Sequence, residues 1–294
     1  MKEHMLTARI LDGRRSAEAL LNEVRSSVSA LDVTPCLATI LVGDDPASHT
    51  YVRMKARRAT DVGIESRRIE LPTSTTTEEL LDAIDSLNSD TDVHGILLQH
   101  PVPAHIDERQ AFDAIAPGKD VDGVTSASFS AMALHGNGFR SCTPGGIIRL
   151  LQDNAIELRG KHAVVVGRSA ILGLPVGMLL LAENATVTYC HSHTEDLADR
   201  IAEADIVVAA VGRAELIRGD WIEPGTVVVD AGYNAGNVGD VEFDRASERA
   251  GWITPVPGGV GPMTIAVLLA QTVEAAAAQS ILHLSNSQSP DANR

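Results

Sequence analysis

Lysine, aromatic residues and cysteine are all scarce in this chain of 294 residues. Only four lysines stand among the 24 basic residues, and aromatic side chains make up 3% of the sequence. Ala, Val, Ile and Leu must therefore supply most of the core, which suits helices packed on parallel strands. The three cysteines are far apart and show no C-x-x-C pair or Cys/His ligand spacing. Neither a disulfide framework nor a metal site is expected.

Positive charge is also in short supply. The 24 basic residues face 39 acidic ones, and the formal net charge of −15 would repel a nucleic acid or an anionic membrane. The N-terminal sequence lacks the apolar region of a signal peptide, and we expect no stretch to reach the apolar length of a membrane span. We therefore expect a cytoplasmic protein with no nucleic-acid or membrane partner.

Hydrophobic spacing predicts that helices and strands alternate through the first half of the chain. Two predicted helices cover residues 16–31 and 76–88. A third lies between them, with Ser48 as its N-cap; Gly63 ends it in a left-handed conformation, and Ile64 packs back against it. Predicted strands cover 36–43, 66–71 and 95–99. This alternation indicates a parallel sheet covered by helices.

A second βαβ series follows an irregular region rich in Gly, Ser and Asp. It opens with a helix that has Pro144 in its first turn, and its strands are continuous Val/Ile/Ala runs typical of burial on both faces. We predict an α/β protein of two domains with a cleft between them. The first covers residues 1–140 and is completed by a C-terminal helix, 265–294; the second, 141–264, is a Rossmann-like dinucleotide-binding domain.

The stretch "VVVGRSAILGLP" lies between a predicted strand and a predicted helix, as a dinucleotide phosphate loop does. Its glycines, Gly167 and Gly173, do not form G-x-G-x-x-G, so the turn alone also fits any α/β domain. The next strand ends in "YCHSHT", which lacks the acid that binds the ribose of NAD. Arg168 with Ser192 would instead favour the 2′-phosphate of NADP. The alternative is a surface arginine paired with a local carboxylate.

Three further stretches accompany a tyrosine and a lysine that share a helix face. Tyr51 and Lys55 are four residues apart, although a solvated lysine beside a half-buried tyrosine would have the same spacing. "GILLQHPVP" places Gln99 at the carboxyl end of a buried strand, where open α/β sheets bind ligands. "PGKDVDG" gathers two acids and a lysine in an irregular loop. "ITPVPGGVGPMT" is too rigid for an ordinary linker.

Seven motifs, in order, resemble the bifunctional methylenetetrahydrofolate dehydrogenase/methenyltetrahydrofolate cyclohydrolase family, the bacterial FolD type, over nearly the whole chain. They are "YVRMK", "GILLQHPVP", "PGKDVDG", "CTPGG", "VVVGRSAILGLP", "CHSHT" and "PVPGGVGPMT". The resemblance implies oxidation of 5,10-methylenetetrahydrofolate by NADP and hydrolysis of the methenyl product to 10-formyltetrahydrofolate. It further implies a homodimer and a place in one-carbon metabolism that serves purine and amino-acid biosynthesis.

The resemblance also implies site residues. Lys55, held by Gln99, is the catalytic lysine; Asp122 binds the pterin and completes the catalytic set; Tyr51 lines the folate pocket and Pro262 shapes its wall. The residues implied at the cofactor are Gly167, Arg168, Ser169, Ser192 and Tyr233.

The chemistry explains a lysine at position 55 of an arginine-rich chain. Hydrolysis adds water to a cation and then expels a ring nitrogen, so protons must move. A lysine in a water-poor site can have its pKa lowered towards neutrality and act as an acid or a base, whereas arginine stays charged. The hypothesis is that Lys55 carries the proton.

Two residues depart from the family pattern: His100 stands where leucine is common, and Tyr233 where isoleucine is usual. We expect His100 to be a tolerated substitution, with altered pH dependence of hydrolysis as the alternative. Three other functions are open to the sequence. They are a dehydrogenase that has lost hydrolysis, an NADP oxidoreductase of a shikimate-like hydroxy acid, and a non-catalytic nucleotide-binding regulator.

Overall fold

The computed structural model describes residues 8–287, which divide into two compact units. The small-sheet unit contains residues 19–140 and 268–287, and the large-sheet unit contains 8–18 and 141–267. The sequence pattern predicts that residues 8–18 belong to the first domain, and this part of the prediction is wrong. The reason is a strand pairing, because Arg9 and Ile10 lie parallel to Trp252 and Ile253 in the large sheet.

The elements up to residue 140 are as follows: β1 (Arg9–Ile10), α1 (Gly13–Ser29), β2 (Cys36–Val42), α2 (Pro46–Asp61), β3 (Glu65–Leu71), α3 (Thr77–Ser89), β4 (Gly95–Leu98), α4 (Glu108–Asp113), a 3-10 turn (Pro117–Lys119) and α5 (Ser126–Leu134). In the small-sheet unit, β2 lies between β3 and β4, and all three strands are parallel. Every residue of β2 and β4 is buried.

Helix α2 begins and ends through identifiable local contacts. Asp45 is its N-cap, since its carboxylate accepts from the backbone N–H of Ser48 at 2.7 Å; the prediction that Ser48 is the cap is therefore wrong. At the other end Gly63 has a φ of +86°, and the Ile64 N–H donates to the Ala59 carbonyl. Ile64 is buried, so the predicted left-handed glycine end is confirmed.

The elements after residue 140 are α6 (Cys142–Asp153), β5 (His162–Val166), α7 (Gly173–Ala182), β6 (Thr186–Cys190), α8 (Leu197–Ala202), β7 (Ile206–Ala209), a 3-10 turn (Gly219–Trp221), β8 (Val227–Asp230), α9 (Phe243–Ser247), β9 (Trp252–Ile253) and α10 (Val260–Ser287). The large sheet has the order β1-β9-β8-β7-β5-β6, and all its pairs are parallel. The predicted α/β class with parallel sheets is confirmed.

This strand order indicates where a ligand would bind at the edge of the large sheet. The chain leaves β5 towards β6 on one side and returns to β7 on the other, as in the 2-1-4 part of a Rossmann sheet. The loops that follow β5 and β7 therefore diverge at the carboxyl edge, and a crevice at such a switch point is the usual ligand site.

Within the small-sheet unit, Gln271 of α10 is hydrogen-bonded to two backbone segments. Gln271 Nε2 donates to the carbonyls of Val121 at 2.7 Å and Arg140 at 3.0 Å, while its Oε1 accepts from the Arg140 N–H. Its bonds hold the backbone one residue before Asp122. The last residues of the predicted helix, 288–294, lie outside the described residues.

Part of α10 also has the composition of a membrane span. Within the described residues, Val260–Ile281 is long and apolar enough to cross a bilayer, so the expectation that no stretch reaches that length is wrong. Of its most apolar window, however, 61% is buried inside the protein, and a core helix meets the same criterion. By itself this is weak evidence for a membrane segment.

Candidate active site

Lys55 and Gln99 are brought together from positions 44 residues apart. Lys55, half-buried on α2, donates from Nζ to Gln99 Oε1 at 3.0 Å. Gln99 is 7% exposed and follows β4, where its N–H donates to the Ile40 carbonyl. Its Nε2 donates to the His100 carbonyl at 2.7 Å, so the amide oxygen is left to face the lysine. The strand thus sets the amide, and the amide positions the amine.

Tyr51 lies one turn before Lys55 on α2 and is also half-buried. The four-residue spacing places both side chains on the same side of the helix. A rigid, partly exposed ring beside a positioned amine can stack against a flat ligand. The structure therefore keeps Tyr51 as a candidate for the wall of a substrate site.

The loop "PGKDVDG" contains two residues with structural roles and one candidate ligand-binding residue. Lys119 Nζ donates to the carbonyls of Leu87 and Asp90 at the end of α3, at 2.9 and 2.7 Å. Burial lowers the pKa of Lys119. Lys119 therefore stabilises the helix end and is not available to a substrate.

Asp120 is the structural acid of the same loop. Its buried carboxylate accepts from the N–H groups of Val124 and Thr125 and from Ser128 Oγ at 2.6 Å, which anchors the start of α5. Burial raises its pKa despite these donors. Asp122 is half-buried and, among residues 8–287, its carboxylate accepts no hydrogen bond. Of the two acids, Asp122 is the one free to bind a ligand.

The turn after β5 has the shape that a phosphate-binding loop requires. Gly167 has a φ of +134°, and a Cβ there would lie 2.2 Å from the Ala210 carbonyl oxygen. Ser169 Oγ accepts from the Gly173 N–H at 3.2 Å and so shapes the entry to α7. The backbone can therefore approach a ligand closely at this edge.

The remaining candidates at the cofactor lie around the same carboxyl edge of the large sheet. Arg168 and Ser169 are exposed in the turn after β5, and Ser192 is exposed in the turn after β6. Within the described part of the chain Arg168 has no ion pair, so the alternative of a surface arginine paired with a local carboxylate is not observed. Tyr233, 57% exposed after β8, donates to Asn237 Oδ1 at 2.6 Å.

Pro262 lies in the first turn of α10 and is half-buried. No hydrogen bond can come from its nitrogen, which suits the start of a helix. Its contact with a substrate stays a prediction.

Two buried acids near the same edge were missed by the sequence analysis. Asp230 ends β8, and Asp240 lies in the loop before α9; they are 3% and 0% exposed. Burial raises the pKa of Asp230 to about 6, because desolvation outweighs the N–H donors around it. The available signal is an acid at the end of an apolar run, as in "VVVDAG".

His100 follows Gln99 and is half-buried, with its ring 6.2 Å from that of Phe112 in an edge-on arrangement. Its contact with Gln99 runs through its backbone carbonyl, which any residue supplies. His100→Leu is therefore expected to leave the dehydrogenase rate within about threefold, a change below about 1 kcal/mol. Steady-state rates of the two reactions that the resemblance implies, oxidation and hydrolysis, would test this. A tenfold or larger loss in both would show that the imidazole itself takes part.

Other features of the two units do not coincide with these residues. Residues 8–287 contain no group of three or more His, Cys, Asp or Glu side chains that could hold a metal. A cavity of about 490 Å³ is lined by residues that precede strands, among them Lys161, Asp205 and Thr226. It therefore lies at the amino edge of the large sheet, opposite the turn at Gly167.

Two sequence profiles of one family match the chain. The profile described as tetrahydrofolate dehydrogenase/cyclohydrolase, catalytic domain, matches residues 11–122, and that described as the NAD(P)-binding domain of the same family matches 141–280. Among curated proteins, "Bifunctional protein FolD 1" of Streptomyces avermitilis is 64% identical over 277 residues, covering 93% of this chain and 96% of the relative. Its namesake in Salinispora arenicola is 63% identical over 275 residues, covering 92% and 99%.

Solved structures give the same likeness. The bifunctional FolD methylenetetrahydrofolate dehydrogenase/cyclohydrolase of Campylobacter jejuni has a TM-score of 0.90 at 41% identity, covering 92% of this chain and 99% of that one. The Trypanosoma brucei enzyme, described as complexed with NADP cofactor and inhibitor, has a TM-score of 0.90 at 39% identity, covering 94% and 99%.

Proposed function

This chain belongs to the tetrahydrofolate dehydrogenase/cyclohydrolase family, and from that premise we propose that it performs two reactions. It oxidises 5,10-methylenetetrahydrofolate with NADP, and it hydrolyses the resulting 5,10-methenyl cation to 10-formyltetrahydrofolate. The observation that carries the proposal is the hydrogen bond from Lys55 Nζ to Gln99 Oε1. It holds a half-buried amine against a buried amide, and the family resemblance assigns both residues to the folate site.

Lys55 supplies what hydrolysis needs, which is a group that takes up and returns a proton. Water attacks the methenyl carbon and loses one proton, which leaves a hydroxyl on that carbon. N5 then takes up a proton as its bond to the carbon breaks, and the hydroxyl loses its remaining proton to become the formyl carbonyl, so that one proton is released overall. An amide oxygen only accepts, so Gln99 Oε1 holds one N–H of the amine in either protonation state. The lone pair of the neutral amine then points away from Gln99, towards the proton it removes.

The residues after β5 fit a dinucleotide that carries a 2′-phosphate. Gly167 lets the backbone approach the diphosphate, and the exposed Arg168 has no ion pair within the described residues to compete for it. NADP, when bound, accepts the hydride that leaves the one-carbon bridge. Ser169, Ser192 and Tyr233 would complete its surroundings, and Asp122 and Tyr51 would orient the pterin and the neighbouring ring.

Arg168→Ala is expected to raise the Michaelis constant for NADP by about tenfold or more, because a charge-assisted bond to phosphate contributes roughly 1.5–3 kcal/mol. The constant for NAD, which lacks that phosphate, should hardly change. Initial rates with each cofactor give the comparison, and Arg159→Ala, an exposed arginine before β5, is the control. Equal weakening for both cofactors would place Arg168 away from the 2′-phosphate.

The direct test uses purified protein, 5,10-methylenetetrahydrofolate and NADP, with NADPH and the methenyl species followed separately. NADPH that forms without methenyl accumulation supports both activities. Accumulating methenyl would indicate a dehydrogenase alone, an alternative not favoured because Lys55 and Gln99 are both present and in contact. Absence of NADPH would contradict the proposal.

We also propose a homodimer in the cytoplasm that serves purine and amino-acid biosynthesis through one-carbon units. Support comes from the family membership and from the acidic composition, with a net charge of −15, which disfavours nucleic-acid and anionic membrane partners. Light scattering on the purified protein measures the assembly, and a mass of one chain would contradict the dimer.

A further inference from the structure

One buried carboxylate joins two loops at the carboxyl edge of the large sheet. Asp240 is 0% exposed. Its Oδ2 accepts from the N–H groups of Val211 at 2.7 Å and Gly212 at 2.9 Å. Its Oδ1 accepts from the Arg213 N–H at 2.9 Å and from Asn234 Nδ2 at 3.0 Å. The turn after β7 and the loop after β8 are therefore held by the same side chain.

A second buried carboxylate sets the position of the first. Asp230 accepts at Oδ1 from the N–H groups of Gly232 at 2.9 Å and Asp240 at 3.0 Å, and at Oδ2 from Val241 at 2.9 Å. The backbone on both sides of Asp240 is thereby tied to the end of β8. We call Asp230 and Asp240 the acid clamp.

Both loops held by the acid clamp border the candidate cofactor site. The turn after β7 begins at Ala210, whose carbonyl is the group that Gly167 packs against. The loop after β8 carries Tyr233, next to Asn234, which donates to Asp240. Burying two neighbouring acids is costly unless their hydrogen bonds are satisfied. Here those bonds bring together backbone segments from separate strands.

We propose that Asp240 is a positioning residue for the NADP of this family's dehydrogenase step. Without touching the cofactor, it holds the turn at 211–213 and the loop at Tyr233 in the arrangement that binds the dinucleotide. This inference rests on the proposed function. It differs from a purely structural role because losing the carboxylate should weaken cofactor binding without harming the hydrolytic reaction, which needs no hydride acceptor.

Asp240→Asn keeps the size of the side chain but replaces one acceptor oxygen by a donor that faces backbone N–H groups. We expect the Michaelis constant for NADP to rise about tenfold, equal to roughly 1.4 kcal/mol, with kcat at saturating NADP within about twofold. Hydrolysis of methenyltetrahydrofolate, assayed without NADP, should remain within about twofold. Asp244 is an exposed acid at the start of α9, and Asp244→Asn is the matched control. It should change neither the Michaelis constant for NADP nor the rate of hydrolysis.

A parallel loss of both reactions in Asp240→Asn, or an unchanged constant for NADP, would overturn the inference. If that variant does not fold, Asn234→Ala decides, since it removes one donor to Asp240 and leaves the acid clamp itself intact. We expect about a threefold rise in the constant for NADP in Asn234→Ala, and no rise would overturn the inference. Wild-type protein that makes no NADPH would instead refute the proposed function, so the two failures are distinguishable.

Discussion

Lys55→Arg is expected to reduce hydrolysis of methenyltetrahydrofolate by at least about a hundredfold, the usual contribution of a general acid or base. Arginine keeps the positive charge and nearly the same reach to Gln99, so folate binding should be largely retained. Arginine cannot become a neutral base, because a guanidinium stays protonated at any pH the enzyme tolerates. The loss should therefore appear in kcat for hydrolysis rather than in the dissociation constant for the folate.

Two measurements separate this role from general damage. Calorimetric titration of a folate ligand gives the binding constant, and Lys161→Arg, a partly exposed lysine that pairs with Asp205, controls for the substitution itself. The control should hydrolyse its substrate at the wild-type rate. Full hydrolytic activity in Lys55→Arg would exclude Lys55 as the proton carrier.

Gly167→Ala is expected to destabilise the large-sheet unit by about 3 kcal/mol, through a strained backbone and a clash with rigid main chain. The added methyl group would lie 2.2 Å from the Ala210 carbonyl oxygen. The backbone alone fixes the position of this methyl group, so only a movement of the main chain could relieve the clash. Since β5 and β7 must separate to admit it, NADP binding should be lost as well. Chemical denaturation and NADPH titration measure the two effects.

Gly160→Ala isolates the contribution of the clash. Gly160 also has a positive φ, +74°, yet nothing lies within 4 Å of an added Cβ. It should therefore cost only the backbone strain, about 1 kcal/mol, and leave NADPH binding unchanged. Equal destabilisation by the two variants would mean that the contact with Ala210 does not constrain the turn.

The alternation of strands and helices was predictable because each long element carries its own hydrophobic period. The two-residue strands β1 and β9 carry none, and their pairing joins residues about 240 positions apart in sequence. For that reason residues 8–18 were assigned to the wrong unit. The N-cap of α2 was misplaced for a local reason, since Asp45 and Ser48 are both good capping residues and only the coordinates distinguish them.

The candidate site shows the same limit at the level of side chains. Family motifs suggested that Lys55 and Gln99 meet, and the structure places them in contact. Composition alone could not tell Asp120 from Asp122, because both are acids of one loop and only burial assigns the first to the backbone. Asp240 was missed since its four donors come from two loops that no local pattern connects.

The fate of Lys119 has a practical consequence for labelling chemistry. Its ammonium is enclosed and engaged with two carbonyl oxygens, which shields it from acylating reagents. Of the four lysines in the sequence, only Lys2, which lies outside the described residues, and Lys161 remain to compete with Lys55. An amine-reactive probe shaped like a folate would therefore have few competing lysines to modify, and peptide mapping could measure how much of the Lys55 amine it has labelled.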